Sequence, residues 1–594
     1  VETKVTDDDT RPAAAMVNRR SHGATAALGP EQRKSALQRL ANDAFDILVI
    51  GGGVTGCGIA VDAVSRGLTV ALVEKRDWAA GTSSRSSKLI HGGLRYLERL
   101  DIPLVREALH ERRLLAQRIA PHLVRPIPFL LPIRQRTWSR VYLGAGLLLY
   151  DALAGLRPAM PRHRHLSRAQ CMETAPGLRD DVCAGGIRFF DAQVDDARFT
   201  LGLVRTAAAL GAICASRIAV TELLRRDSRV TGARAVDLES GETLAIQART
   251  TINATGAWAT ETERLANVRP RGAMRPSKGV HILVPKERIH SRSALVLPTE
   301  RSVLFVLPWA DQWIIGTTDT EWHGDLDHPT ITRADVRYLL EHANAVLKDR
   351  LDLEDITAAY VGVRPLVGRA NHETVTMSRR HSVWVSAPGL VSIAGGKFTT
   401  YRLMARDAVD AAARDLPFAV DRSRTADLPL VGATGLSSAS FRLVNHAGAA
   451  GLSAMQLQRL TARFGTLAAQ VLDLVAAEPQ LALPLAGAKG YLAAEIRYAV
   501  EYEGALHLDD VLMRRTHIAI EERDQGDRAA ASAAHLMAPV LSWDRSRVES
   551  EITRYRECRA RERASWASFT PAAPRSSGAQ SSTRDPARYP TNPL

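Results

Sequence analysis

The chain has 594 residues, 45% hydrophobic and 24% charged, with a formal net charge of +14. This is the composition of an ordinary globular protein with room for several domains and a large core. The positive balance suits nucleic acid, an anionic membrane surface or a phosphorylated substrate, but arginine greatly outnumbers lysine and neither a lysine-rich tract nor a nucleic-acid motif is present, so no nucleic-acid partner is expected. Five scattered cysteines (Cys57, Cys171, Cys183, Cys214 and Cys558) include no CxxC pair. That argues against a zinc or iron–sulfur site and for a reducing compartment, and no metal is expected.

Residues 1–43 are polar apart from a short helix signal after Pro30, and they are expected to form an extension. They contain no apolar signal core, and Asp7-Asp8-Asp9 argues against a transit peptide. Phe45–Glu74 then supplies an apolar run, the sequence Gly51-Gly52-Gly53-Val54-Thr55-Gly56, a small-residue helix pattern and a second apolar run ending in an acid. That order predicts a βαβ unit carrying GxGxxG at its first turn. Gly51 permits the turn, Gly53 lets the backbone approach a pyrophosphate, and Gly56 lets helix and strand pack closely. The N–H groups at the helix start face phosphate charge, and Glu74 is placed to accept hydrogen bonds from a ribose.

Farther on, the apolar run Val141–Tyr150 is too short to span a bilayer, and no window is expected to approach the ~20 apolar residues a span needs. Thr250–Trp258 is a short β-rich run ending in an Ala254-Thr255-Gly256 turn. Leu390–Arg402 is a strand, a Gly395-Gly396 turn and a helix start. Each alone fits an ordinary tight turn. Taken with the βαβ unit, both read as returns to the first sheet, and a site built from several distant segments favours FAD over NAD. From about residue 430 the pattern becomes mainly helical, for example Leu436–Phe464 and Ala493–Arg523. The expected division is therefore an interleaved α/β region over 44–415, a helical C-terminal domain over 425–564, and a disordered Ser-, Pro-, Ala- and Arg-rich tail over 565–594.

One dense span, Thr82–Glu98 (TSSRSSKLIHGGLRYLE), directly follows the nucleotide unit and packs hydroxyls, glycines and basic groups together. It resembles the flavin-contacting signature of FAD-dependent glycerol-3-phosphate dehydrogenases. The resemblance continues in order through DAQVDDAR (Asp191–Arg198), NATGAW, KGVHILVP (Lys278–Pro285), PWADQWIIGTTDTEW (Pro308–Trp322), GVRPL (Gly362–Leu366), AGGKFTTYR and DDVLMRRT (Asp509–Thr516).

The resemblance implies a D-amino-acid-oxidase type of fold, in which an FAD-binding Rossmann-like domain is interleaved with an antiparallel-sheet substrate domain (roughly 120–190 and 275–360) and followed by a helical cap. It implies oxidation of sn-glycerol 3-phosphate to dihydroxyacetone phosphate, with hydride passing from C2 to flavin N5 and electrons going on to a membrane quinone. FAD contacts are expected from Thr82, Ser83, Ser86, Lys88, His91, Gly92, Ala254, Gly256, Gly395, Gly396 and Thr400, beside Gly51, Gly53, Gly56 and Glu74. His281 and Arg364 are expected at the reacting carbon, His281 as base and Arg364 as a permanent cation for the developing alkoxide. His91 is a second base candidate, and either histidine could instead serve only backbone groups. Arg95, Tyr96, Lys397 and Thr399 match positions near the substrate phosphate.

Bacterial members of such a family lie on the membrane without spanning it. The stretch Arg134–Arg157, with Trp138 beside an apolar run, fits either a segment dipping into anionic headgroups or an internal packed helix. The expected location is therefore the cytoplasm, at the inner face of the membrane. No calcium-binding loop is present in the C-terminal region. An oxidase using oxygen and a non-catalytic flavin-binding protein are the alternatives, and the oligomeric state stays open, a homodimer being one option.

Overall fold

The computed structural model describes residues 26–93, 101–134, 138–155, 160–267, 274–299, 303–368 and 380–567. Strand Ala44–Ile50 is a nearly continuous apolar run, which suits a parallel strand covered on both faces. It pairs in parallel with Val70–Glu74 on one side and with Thr243–Asn253 on the other. Val70–Glu74 continues to Ile213–Ser216, and Thr243–Asn253 continues to Leu390–Gly395, both in parallel. Thr250–Trp258 and Leu390–Arg402 thus do return to the first sheet, the former laying its turn beside the glycine turn of the βαβ unit and the latter one strand farther out. An antiparallel hairpin, Ile218–Arg226 with Arg229–Asp237, and the edge strand His381–Ala387 bring this sheet to eight strands.

Helix Val54–Ser65 is buried along most of its length against this sheet. Close packing is possible because Gly56 has no side chain: a Cβ there would stand 1.8 Å from the carbonyl oxygen of Gly51. The reading of 1–43 as an extension is corrected at its end. Helix Pro30–Asn42 buries Ala36 and Leu40 in the core of the first sheet, and Arg33 pairs with Asp237 at 2.6 Å.

The second sheet has ten strands, from Leu89–Ile90, Val124–Ile133 and Gly185–Val194 through to Met274–Pro285 and Ala358–Val367. Its pairings are antiparallel except that of Ala294–Pro298 with Val124–Ile133. Helix Arg333–Asn344 covers one face with Val336, Leu339 and Ala343, and starts at a capping box between Thr332 and Asp335. The chain enters this sheet from the first one and returns twice, so the site forms where the two sheets meet.

From Leu436 to Ala567 the structure is mainly helical, with one short hairpin (Pro484–Leu485 with Ala488–Leu492). One expectation about membranes needs correcting here. Residues 454–477 are long and apolar enough to span by length and composition alone. They do not form one straight rod. Helix Ala454–Phe464 ends at Gly465, which has a φ of +60°, and helix Ala468–Ala477 begins after it. Leu460, Phe464, Val471, Leu472 and Val475 fill the core of the helical region, which is the burial expected of a core helix pair.

Candidate active site

The glycine turn opens onto a cavity of about 840 Å³ that continues between the sheets to His281 and Arg364. Such a volume lies within the range of cofactor and small-molecule sites. At one end, Gly51 takes a φ of +113°, open to glycine and strained for other residues. A Cβ on it would crowd the Ala254 carbonyl at 2.7 Å, so the Ala254–Gly256 turn and the first glycine turn require each other. Glu74 lines the cavity beside them and accepts from the backbone N–H of Gly52 at 2.6 Å and of Arg76 at 2.8 Å. Gly395 and Gly396, at φ +80° and +78°, form the third backbone turn on the wall, followed by Lys397 and Thr399.

Between these turns runs the loop after Thr82. Thr82, Ser83, Ser86 and His91 line the cavity. Ser83 Oγ accepts from Val54 N at 2.9 Å, and Thr82 donates to the Val363 carbonyl at 2.5 Å. Three lobes of backbone free of side-chain bulk thus converge on an elongated space, and this suits a long dinucleotide with two phosphates.

The inner end is built on the second sheet. His281 stands opposite Gly316 on one neighbouring strand and Tyr360 on the other. The missing side chain of Gly316 makes room for the imidazole, since a Cβ there would lie 2.2 Å from His281 Cδ2. Tyr360 stacks on the ring from the other side at 4.7 Å between centroids, and Ser87 Oγ lies 2.8 Å from Nε2. Burial, followed by the charges of Arg364 and Lys88, pushes the His281 pKa well below the ordinary histidine value. The surroundings therefore favour the unprotonated ring. Arg364 projects from the adjacent strand, donating to Thr317 Oγ1 at 3.0 Å and to the Thr318 carbonyl at 3.2 Å, with Asp319 at 3.6 Å. Gly279 permits this approach, because a Cβ there would meet Arg364 Nη2 at 2.5 Å.

Four of the residues expected at the site stand behind the wall. Gly56 packs under Gly51. Lys88 is fully buried and turns its Nζ to Asp196 at 2.6 Å. Gly92 donates its N–H to Tyr150 Oη at 3.1 Å, and Thr400 Oγ1 donates to the Lys397 carbonyl at 3.4 Å. Arg95 and Tyr96 lie outside the described residues. Several cavity residues carried no expectation: Ser87, Arg85, Arg76, Trp258 and Thr317. Burial, only partly offset by Glu562, draws the Arg85 pKa down to about 10, which leaves it cationic at neutral pH. Arg76 lies 5.0 Å over the Trp258 ring. Ser87 and Arg85 sit inside the quoted loop motif, so the signal existed, but nothing in the spacing distinguished them from their serine and arginine neighbours.

Comparison with known proteins agrees with this geometry. The family described as FAD dependent oxidoreductase matches residues 46–402, and the C-terminal domain of alpha-glycerophosphate oxidase matches residues 423–548. Fold and site together define an FAD-dependent oxidoreductase with an added helical domain. A glycerol-3-phosphate dehydrogenase of Mycobacterium tuberculosis is 48% identical over 534 residues, covering 89% of this chain and 90% of that protein. The mitochondrial glycerol-3-phosphate dehydrogenase of Bos taurus is 37% identical, covering 88% and 74%. The crystal structure of the glycerol-3-phosphate dehydrogenase from Bacillus halodurans complexed with FAD superposes with a TM-score of 0.73 at 28% identity, covering 92% of this chain and all of that one. The chain belongs to the FAD-dependent glycerol-3-phosphate dehydrogenase family.

Proposed function

We propose that the protein oxidises sn-glycerol 3-phosphate to dihydroxyacetone phosphate and passes the electrons to a membrane quinone. The observation that carries this is the buried imidazole of His281 on the wall of the cavity that Arg364, a permanent cation, also lines. The three glycine turns and the Thr82–Ser86 loop would hold FAD, which would supply the two-electron acceptor for the C2 hydride. The chain supplies the rest. His281 takes the C2 hydroxyl proton, and the Arg364 guanidinium stabilises the oxygen as negative charge develops on it. Lys397 and Thr399, on the turn that faces His91, provide a cation and a hydroxyl for the phosphate. His91 is the second base candidate; it lines the same cavity, and its backbone N–H donates to Thr399 Oγ1 at 3.3 Å.

Glycerol 3-phosphate added without oxygen should bleach the flavin absorbance of the purified holoprotein, and an unchanged spectrum would refute the substrate. The acceptor needs a second step. Mixing the reduced enzyme with a quinone analogue should reoxidise it much faster than mixing it with air-saturated buffer. Faster reaction with oxygen, releasing peroxide, would favour the oxidase reading, which the match of residues 423–548 to an oxidase domain keeps in view.

Helix Trp138–Leu153 supports peripheral membrane binding: Leu147 and Tyr150 are buried, while Leu148 and Leu149 are 62% and 40% exposed. An apolar helix edge on a chain of net charge +14 suits an anionic surface. Flotation with anionic but not neutral vesicles is the expected result.

A further inference from the structure

We infer that Tyr150 is a positioning residue for the substrate phosphate: its hydroxyl pins the Gly92 N–H and so holds the His91 loop against the Lys397–Thr399 turn. This rests on the reading of Lys397 and Thr399 as the partners of that phosphate.

The stretch His91-Gly92-Gly93 lines the cavity with His91 and Gly93. Its two glycines have no side chains to anchor it, and Gly93 takes a φ of +75°. Backbone groups set its place instead. On the cavity side, the His91 N–H donates to Thr399 Oγ1 at 3.3 Å, and that hydroxyl donates to the His91 carbonyl at 3.4 Å. On the far side, the Gly92 N–H points between Tyr150 Oη at 3.1 Å and Asp191 Oδ1 at 3.3 Å. Tyr150 closes on the glycine so nearly that a Cβ there would stand 2.3 Å from its oxygen. The loop is thus clamped between a hydroxyl in the cavity and another behind its wall.

The second hydroxyl is itself fixed. Arg112 Nη1 donates to it at 3.1 Å, it donates to Asp191 Oδ2 at 3.2 Å, and Arg112 and Asp191 form a direct ion pair. All three residues are buried, so water does not compete for these bonds. Burial pushes the Tyr150 pKa up, and the phenol keeps the hydrogen that it gives to Asp191. Arg112 stands on helix Ile102–Leu114, and its neighbour Glu111 accepts from Arg402 Nε at 2.9 Å and Nη2 at 2.5 Å. Arg402 lies in the first turn of helix Tyr401–Ala413, just after Thr399. One helix therefore registers both sides of the phosphate region, through Arg402 on one side and Tyr150 on the other. Removing the phenol oxygen cuts the second link and leaves both ion pairs in place.

Steady-state kinetics and amide hydrogen exchange of the holoenzyme test this with Tyr150→Phe and, as control, Leu147→Ala, which opens a void in the same helix and core. Tyr150→Phe should raise KM for glycerol 3-phosphate about three- to tenfold, with kcat and the flavin spectrum little changed. Exchange of the His91 and Gly92 amides should quicken by a similar factor. Leu147→Ala should lower the melting temperature and leave KM and those amides as in the wild type. An unchanged KM in Tyr150→Phe would overturn the inference, as would a KM raised equally by Leu147→Ala. Should glycerol 3-phosphate fail to reduce the wild-type flavin, the substrate reading falls and the phosphate role with it, while faster exchange in Tyr150→Phe would still show that the hydroxyl holds the loop.

Discussion

The cavity and the junction between the first sheet and the helical domain are both rich in buried charge, yet they use it in opposite ways. At the junction carboxylates meet guanidinium groups directly. Asp77 accepts from Arg514 Nε at 2.5 Å and from Arg515 at 2.5 and 2.8 Å, while Arg514 also reaches Asp510 at 2.6 Å. Burial would raise the Asp77 pKa, but Arg515 and Arg514 outweigh it and hold it at about 2. Arg198 pairs with Glu503, and His517 Nε2 lies 2.8 Å from Asp195. At the cavity, by contrast, burial and then the charges of Arg364 and, from behind the wall, Lys88 hold the His281 pKa well below the ordinary histidine value. Opposite charges placed together make a rigid joint, whereas burial and nearby cations keep a titratable ring in its unprotonated form.

Substitutions that cross this divide should have distinct signatures. The largest effect is expected from His281→Gln, which should lower kcat by roughly 10²- to 10⁴-fold with FAD content and melting temperature little changed. Arg364→Leu should also cut kcat strongly, and guanidinium ion added to the variant should recover part of the rate. Asp77→Asn should do the reverse: it leaves Arg514 and Arg515 short of a buried partner and should cost about 3–5 kcal/mol of stability, read by chemical denaturation.

His507 gives a smaller, pH-dependent effect. Burial lowers its pKa, but hydrogen bonds to Glu239 and Glu551, at 2.7 and 3.0 Å, more than reverse this and raise it to about 9. A raised folded-state pKa adds stability that is fully present below the ordinary value of 6.5 and is lost as the pH rises through about 9. His507→Gln should therefore lower the melting temperature most at acidic pH, by an amount equivalent to at most on the order of 3 kcal/mol, and hardly at all well above pH 9. Equal losses at both ends would show that the imidazolium is not what ties Glu239 to the C-terminal helix. The smallest effect is expected at helix Trp138–Leu153, proposed to touch the membrane surface, where Leu148→Asp should weaken vesicle flotation and leave turnover of a soluble acceptor intact.

How much of this was legible in the sequence follows from the distances over which each feature is encoded. The βαβ unit, its glycines and Glu74 lie within thirty residues, so periodicity and turn chemistry reveal them. The two later returns to the first sheet were also readable, because each carries its own strand and glycine turn. The junction was not. Asp77 and Arg514 are 437 residues apart, and DAQVDDAR and DDVLMRRT marked the family without showing that Asp195, Arg198, Arg514 and Arg515 are the joint between its parts. Ser87 and Tyr360 escaped for a related reason: their meaning comes from a ring placed between them by strand pairing, and no spacing along the chain expresses it. Lys88 shows the converse. Its position in a cofactor-contacting motif suggested a ligand, and the structure turns it to Asp196 instead.

The most direct measurement is the rate of flavin reduction by glycerol 3-phosphate in a single anaerobic turnover, followed from about pH 5 to 8 across the ordinary histidine range. With His281 held neutral by burial and by its cationic neighbours, the rate should stay level as the pH falls through 6.5 and decline only below it. A decline centred at or above 6.5, or a profile that His281→Gln reproduces, would contradict the account.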